Sequence, residues 1–74
     1  MKYKINTLDL HGFYHREVES LVNKFLEENL DNLPVEIITG NSDRMKEIVE
    51  ETVKEHGLDM NIKSHYNLGS FIIS

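Results

Sequence analysis

The sequence predicts a small α/β fold, an α+β two-layer sandwich in which two helices cover one face of a four-stranded mixed sheet. Its 74 residues are enough for one domain, spanning residues 1–74. Apolar residues recur alternately at strand and at helix spacing, which gives the order βαβαββ. Asn67–Gly69 supplies turn residues for a hairpin between the last two strands, so the sheet combines parallel and antiparallel pairs.

The composition limits the ways in which the chain can be stabilised and indicates its cellular compartment. There is no cysteine, so one apolar core must stabilise a chain that buries only about 60% of its unfolded surface. The absence of cysteine fits a reducing compartment. No apolar run approaches the length of a membrane span, and no basic-then-apolar leader opens the chain. We therefore expect a cytoplasmic protein without a membrane partner.

The first strand is predicted over Tyr3–His11, with its ordered, core-forming part over Thr7–Leu10. Within the LDLHG segment (residues 8–12), apolar and polar residues alternate with period two. This is the pattern of a strand with two different faces. Leu8 and Leu10 should therefore point into the core.

Asp9 and His11 should lie side by side on the opposite face, and Gly12 allows a sharp turn into a helix. In one interpretation they are a metal-ligand or acid–base pair. The imidazole changes its charge near neutral pH, and the carboxylate can orient it or hold a hydrated Mg²⁺. In the other, the histidine is hydrogen-bonded to a backbone carbonyl and the aspartate is solvated. An isolated Asp-x-His is common and favours the second interpretation by itself.

The first helix has one apolar face. Its members are Val18, Leu21, Val22, Phe25, Leu26 and Leu30. Tyr14 stands where Ser, Thr, Asp or Asn would be the preferred N-cap. We favour an aromatic ring that staples the helix start over one that stacks on a nucleic-acid base. Asn29–Pro34 ends the helix.

A second strand–helix unit follows. Val35–Thr39 is largely apolar, as in a strand buried on both faces. Gly40–Asp43 forms a tight turn in which Ser42 or Asp43 caps the second helix. The buried positions of this helix are Met45, Ile48, Val49, Thr52 and Val53. His56–Gly57 ends it.

Two strands complete the sheet, at Leu58–Tyr66 and Ser70–Ser74. The continuous apolar run of residues 71–73 indicates a central strand rather than an edge. His56 and His65 are expected to be exposed surface residues. Because two helices cover only one face of the sheet, the other face is left partly open, and Asp9 and His11 point to it.

The net charge of −5 argues against a nucleic-acid partner unless the acidic residues are segregated. Most of them fall on the backs of the helices, which is typical of a solvated face. These are Glu19, Glu27, Glu28, Glu47, Glu50, Glu51 and Glu55. Basic residues collect at the edge where the parallel strands end, and open α/β sheets tend to bind ligands there. They are His11, His15, Arg16, Arg44 and Lys46.

The turn at Gly40 allows two interpretations of equal weight. Backbone N–H groups at a helix start, preceded by a glycine, can bind an anion such as phosphate. Alternatively, the turn is an ordinary strand-to-helix connection, and the charge of Asp43 opposes phosphate binding.

The LDLHG segment, followed by an amphipathic helix, an apolar strand ending in Thr39-Gly40 and a second helix, resembles the small MutS-related (Smr) domain. The resemblance covers nearly the whole chain, and LDLHG is its most specific part. A last strand that begins near Gly69 and is rich in β-branched residues also resembles the family. The resemblance implies a fold similar to the C-terminal domain of bacterial translation initiation factor 3. In that fold the last strand lies between the second and third and runs antiparallel to the other three.

Members of the Smr family bind DNA or RNA, and several are nicking endonucleases or endoribonucleases. The resemblance therefore implies a nucleic-acid partner and, if the chain is an enzyme, hydrolysis of phosphodiester bonds. It places the catalytic pair on Asp9 and His11, with Asp9 holding a divalent metal such as Mg²⁺ or orienting His11. The residues that would hold the nucleic acid or its phosphate are Gly12, Arg16, Thr39, Gly40, Asn41, Ser42, Arg44 and Lys46.

The sequence departs from the family in its second motif, which usually has the pattern His-Gly-x-Gly. Thr39 replaces the histidine, Ser42 replaces the second glycine, and Tyr14 replaces the usual threonine cap of the first helix. These departures weaken the expectation of catalysis more than that of the fold. The alternative is a non-catalytic module that binds RNA or a protein through its open sheet face or its acidic helix backs.

Overall fold

The computed structural model describes residues 5–74, which form the predicted order of strands and helices. Its elements are β1 (Thr7–Asp9), α1 (His15–Asn29), a 3₁₀ turn (Leu30–Asn32), β2 (Val35–Ile38), α2 (Asp43–Glu55), β3 (Met60–Ser64) and β4 (Asn67–Ile73). Two residues of the predicted first strand, Tyr3 and Lys4, lie outside the described residues. None of the helices within residues 5–74 is both long enough and apolar enough to cross a membrane.

The four strands form one mixed sheet in the order β1-β2-β4-β3. β1 and β2 run parallel, whereas β4 is antiparallel to both of its neighbours, β2 and β3. The prediction that the last strand is central is confirmed, and the strand order is the one that the resemblance implies. Because β1 and β2 are parallel, their carboxyl ends meet at one edge of the sheet, beside the first turns of α1 and α2.

The core lies between the sheet and the two helices, which cover one face of the sheet and pack on each other. Its fully buried apolar residues come from both helices and from the strands. They are Leu10, Val18, Val22, Leu26, Val35, Ile37, Val49, Val53 and Ile73. The predicted apolar faces of α1 and α2 are confirmed, with one exception in α1.

The exception is Leu30, which is 50% exposed because α1 ends at Asn29 and the chain continues as a 3₁₀ turn. Asn29 is buried instead. Its side-chain oxygen accepts a hydrogen bond from Asn6 Nδ2 at 2.6 Å, and its amide nitrogen donates to the carbonyl of Phe25 at 2.7 Å. The side chain of Asn29 therefore ties the end of α1 to the residue that precedes β1.

The prediction that β2 is buried on both faces is wrong. Val35 and Ile37 are buried beneath the helices, whereas Glu36 and Ile38 are half-buried on the other face. No second helical layer covers that side of the sheet within residues 5–74, so it forms the open face. Cross-strand neighbours alone shield Glu36 and Ile38.

The predicted hairpin turn at Asn67–Gly69 is also wrong, since these residues belong to β4 and the turn lies at His65–Tyr66. A glycine is needed at position 69 because the backbone of Gly40 lies close to it, and not because position 69 belongs to a turn. A Cβ atom at this position would lie 2.7–2.9 Å from backbone atoms of Gly40. The N–H groups of Thr39 and Gly40 both donate to the carbonyl of Gly69, at 2.8 and 3.1 Å.

His56 departs from the expectation of an exposed histidine. It is half-buried at the end of α2, and its Nε2 atom lies 2.8 Å from Asn23 Oδ1 of α1. His65, in the hairpin turn, is exposed as expected. His56 thus links the two helices, and no local sequence pattern indicates this contact.

Candidate functional site

Asp9 and His11 are exposed where β1 ends, and Leu10 between them is fully buried. The predicted alternation of faces is therefore observed for Asp9 and Leu10, whereas His11 lies in the turn that follows β1. The N–H of Leu10 donates to the carbonyl of Ile38 at 3.0 Å, which extends the β1–β2 pairing to this point. Asp9 and His11 consequently flank a backbone segment that is fixed by both core packing and sheet hydrogen bonds.

The Asp9 carboxylate is directed at the backbone of His11 rather than left free. Its Oδ1 atom accepts a hydrogen bond from the His11 N–H at 2.9 Å. Gly12 follows with a φ of +86°, a conformation that L side chains rarely adopt. Together these two features turn the chain out of β1 toward α1. Asp9 therefore positions the backbone of His11.

The opposite side of the site is the β2–α2 connection, where Thr39 and Gly40 are used internally. Thr39 is buried, and its Oγ1 atom lies 2.9 Å from the Gly40 carbonyl and 3.3 Å from the Gly69 carbonyl. The Gly40 N–H also binds the Gly69 carbonyl. The hydroxyl of Thr39 and the N–H of Gly40 therefore hold the loop in place, and an incoming ligand would meet Asn41 and the start of α2.

Ser42 is the N-cap of α2, and its Oγ atom accepts a hydrogen bond from the Met45 N–H at 3.1 Å. Of the two caps that the sequence allowed, the structure therefore uses Ser42. Arg44 in the first turn is exposed, and Lys46 is half-buried. The first N–H groups of a helix lack intrahelical partners and carry a partial positive charge.

His15 and Ser42 join the starts of the two helices. The Nε2 atom of His15 lies 3.3 Å from Ser42 Oγ, across 27 positions of the chain. The sequence placed both residues at one edge of the sheet, but no local signal predicts that they touch. We define the helix-start edge as Asp9, residues 11–16, residues 41–44 and Lys46.

Two aromatic rings are exposed at the start of α1. Phe13 is 43% and Tyr14 is 64% exposed. Tyr14 is the N-cap by backbone position, but its side chain makes no capping hydrogen bond; instead the Glu17 carboxylate accepts the Tyr14 N–H at 3.1 Å. The Arg16 guanidinium lies 4.7 Å from the centre of the Tyr14 ring. The Tyr14 ring thus lies beside Arg16 at the surface, and its interpretation as a staple stays a prediction.

Among the residues that the structure describes, the basic side chains of the helix-start edge have no carboxylate within 4.0 Å. Within residues 5–74, the ion pair between Lys63 and Glu36 is the only one with an N···O distance of 4.0 Å or less. The acidic residues predicted for the helix backs are exposed there. Arg16, Arg44 and Lys46 thus lie together at the helix-start edge, where Asp9 and Asp43 are also present, whereas seven acidic residues lie on the helix backs.

Sequence reasoning missed a polar cluster on the open face that connects all four strands. Glu36 of β2 accepts hydrogen bonds from Ser70 of β4, from Lys63 of β3 at 3.2 Å and from Thr7 of β1 at 3.4 Å. The hydrogen bond from Ser70, helped by Lys63 and opposed by burial, lowers the pKa of Glu36 below its ordinary value. The register between the strands brings these side chains together, and the sequence of a single strand does not reveal that register.

A metal at this site would have few protein ligands. Within residues 5–74, no three His, Asp or Glu side chains are grouped closely enough to hold a metal ion. Asp9 offers one carboxylate, of which one oxygen already accepts the His11 N–H. Asp9 would hold a hydrated Mg²⁺ through one carboxylate only, so the divalent metal stays a prediction, and we assign it no step.

Comparisons with family models, with curated proteins and with solved structures find no match to this chain. The resemblance to the Smr domain therefore stays a prediction that rests on the residues of the sequence.

Proposed function

We propose that this chain is an Smr-like nucleic-acid-binding domain that uses the helix-start edge. The observation that carries the proposal is the joint exposure of Asp9 and His11 beside the starts of both helices, where Arg16 and Arg44 have no acidic partner within 4.0 Å in the part of the chain that the structure describes. A surface with unpaired guanidinium groups and first-turn N–H groups suits phosphate oxygens. The acidic helix backs would face away from the bound strand.

Each predicted binding residue has a role in this proposal. Arg16, Arg44 and Lys46 neutralise phosphates, and Asn41 and Ser42 lie at the α2 N-terminus that would receive one. Thr39, Gly40 and Gly12 act indirectly, because the first two hold the β2–α2 loop and the third turns the chain toward α1.

If the domain cleaves its ligand, the reaction is hydrolysis of a phosphodiester. A ring nitrogen of His11 accepts a proton from water while the water oxygen forms a bond to phosphorus. The bond from phosphorus to the leaving oxygen breaks, and that oxygen takes a proton from solvent. Asp9 contributes by fixing the backbone of His11, and Arg44 offsets the charge that develops on the phosphate.

The experiment is binding and cleavage of a fluorescent single-stranded RNA by wild type, Asp9→Ala and His11→Ala, with Asp59→Ala and His65→Ala as controls. Both control residues are exposed and lie away from the helix-start edge. We expect the site variants to weaken binding or cleavage at least about fivefold, the effect of losing one charge-assisted contact. Unchanged binding and cleavage in both site variants would overturn the assignment.

A salt titration in the same assay tests the binding mode. Each phosphate contact to a single strand contributes about −0.7 to the slope of log K against log salt concentration. Contacts from Arg16, Arg44 and Lys46 therefore predict a slope of about −2. A slope near zero would show that these cations do not bind phosphate.

A non-catalytic protein-interaction module is the second candidate, and one observation favours it. The β3–β4 hairpin exposes three large side chains, Ile62, Tyr66 and Leu68. Exposed apolar groups that cluster on a surface are typical of protein interfaces. The absence of RNA and DNA binding at low ionic strength would favour this candidate over the first.

A further inference from the structure

We propose that Tyr14, with Phe13 and Arg16 beside it, is a stacking site for one unpaired base, which makes the helix-start edge selective for single strands over duplexes. The inference rests on the proposed function and names its substrate class. It is drawn from the arrangement of side chains at the start of α1, which the proposed phosphate and acid–base roles leave unexplained.

Tyr14 is an unusual residue for its position in the fold. An N-cap favours Ser, Thr, Asp or Asn because their side chains accept a first-turn N–H. The Tyr14 side chain does not do so, and the residue is 64% exposed. Local sequence rules tend to fail at functional sites. A ring that neither caps the helix nor fills the core is available to a ligand.

The side chains around Tyr14 form a shallow depression of about 380 Å³, lined by Phe13, Tyr14, His15 and Arg16. This volume falls within the range of about 300–1,000 Å³ that is usual for small-ligand sites. Two aromatic rings, an imidazole and a planar guanidinium line it, and all four groups stack on nucleobases.

Two contacts order this depression before any ligand arrives. The Arg16 guanidinium lies 4.7 Å from the Tyr14 ring centre, a cation–π geometry. The His15 ring is held 3.3 Å from Ser42 Oγ at the start of α2. Ordered side chains lose less rotamer entropy on binding. The Ser42 contact also connects the depression to Arg44 and Lys46, which would hold the neighbouring phosphates.

The occupant is an unpaired base because a stacking site needs a free base face. Bases inside a duplex are covered on both faces by their neighbours, whereas a single strand can present a base to an aromatic side chain. Arg16 gives charge complementarity to the same strand, because it has no carboxylate within 4.0 Å among residues 5–74. A base stacked on Tyr14, with the neighbouring phosphates bound by Arg16 and by the start of α2, thus accounts for all of these side chains.

The experiment measures fluorescence anisotropy with four labelled decamers: oligouridylate, oligothymidylate, a DNA duplex and an abasic deoxyribose-phosphate strand. The proteins are wild type, Tyr14→Leu, Tyr14→Phe and the control Tyr66→Leu, whose tyrosine is fully exposed in the hairpin turn. We expect Tyr14→Leu to weaken single-strand binding about 5- to 100-fold, as loss of one base–aromatic stack does. Tyr14→Phe, which keeps a ring, and Tyr66→Leu should stay within about twofold of wild type.

The probes separate this inference from the proposed function. We expect wild type to bind the abasic strand and the duplex about as weakly as Tyr14→Leu binds the base-bearing strands. The stacking site is overturned if Tyr14→Leu binds the single strands like wild type. Arg44→Ala, measured in the same assay, then binds less tightly than wild type if the proposed function holds. The stacking site is also overturned if the abasic strand binds as well as oligothymidylate. If wild type binds none of the four probes, both proposals fail.

The RNA and DNA decamers decide which strand the site prefers. Stacking alone requires only a base face, so similar affinities for oligouridylate and oligothymidylate are expected. A preference for duplex over both would contradict the inference, because a duplex offers no free base face.

Discussion

Leu10 fixes the positions of Asp9 and His11, because it is fully buried and its N–H binds the carbonyl of Ile38. Alternation of faces then places Asp9, the last residue of β1, on the open face, and His11 is exposed in the turn that follows. This placement follows from three consecutive residues and was therefore accessible from the sequence. The environment of Glu36 could not be predicted from the sequence, since its hydrogen-bond partners come from three other strands.

Glu36 makes stability depend on pH in a defined way. Its side chain is only 12% exposed, and its pKa is lowered by the hydrogen bond from Ser70 and by Lys63. A lowered pKa in the folded state contributes stability that is present above the ordinary glutamate pKa of about 4.3. That contribution is lost as the pH falls from there through the lowered value.

We therefore expect Glu36→Gln to reduce the free energy of unfolding by about 1–3 kcal/mol at pH 7, since hydrogen bonds to a charged group are lost. Below about pH 4.3 the difference from wild type should shrink. Urea unfolding at several pH values measures it, with Glu47→Gln on the exposed back of α2 as the control. A constant difference between wild type and Glu36→Gln down to pH 3 would show that the carboxylate charge is not involved.

At the scale of elements, hydrophobic periodicity was enough to predict the two strand–helix units and the central position of β4. The position of the hairpin turn could not be predicted in this way. Asn67 and Gly69 are residue types typical of turns, but in the structure they make other contacts. The Asn67 side chain accepts the Gly69 N–H at 3.1 Å within β4. Gly69 lies against the backbone of Gly40, a contact between segments 29 positions apart that local turn chemistry cannot reveal.

The contact between β4 and the β2–α2 connection predicts a specific sensitivity at Gly69. In Gly69→Ala, the new Cβ would lie 2.7–2.9 Å from backbone atoms of Gly40, which hydrogen bonds to the Gly69 carbonyl hold in place. We expect a loss of about 1–3 kcal/mol, the usual cost of overpacking, and a fall of several degrees in the thermal midpoint. Asn61→Ala on the exposed edge strand should change stability by less than about 0.5 kcal/mol. Equal midpoints for the two variants would contradict the close approach.

For the whole molecule, the sign of the net charge is a poor guide to the partner. The chain carries −5, yet seven of its 13 acidic residues lie on the helix backs, while Arg16, Arg44 and Lys46 gather at the starts of the helices beside Asp9 and Asp43. The fold concentrates acidic residues on the helix backs and these three cations at one edge, and the net charge of the sequence cannot express this. The sequence did predict which edge collects the basic residues, since the ends of parallel strands and the starts of their following helices coincide.

The central claim is that nucleic acid binds at the helix-start edge, and chemical-shift mapping tests it most directly. Wild type labelled with ¹⁵N would be titrated with an oligouridylate decamer at low ionic strength. We predict that the largest amide shifts fall on residues 9–16 and 41–46, while amides of the β3–β4 hairpin stay unchanged. Shifts centred on Ile62, Tyr66 and Leu68, or no shifts at all, would contradict the account.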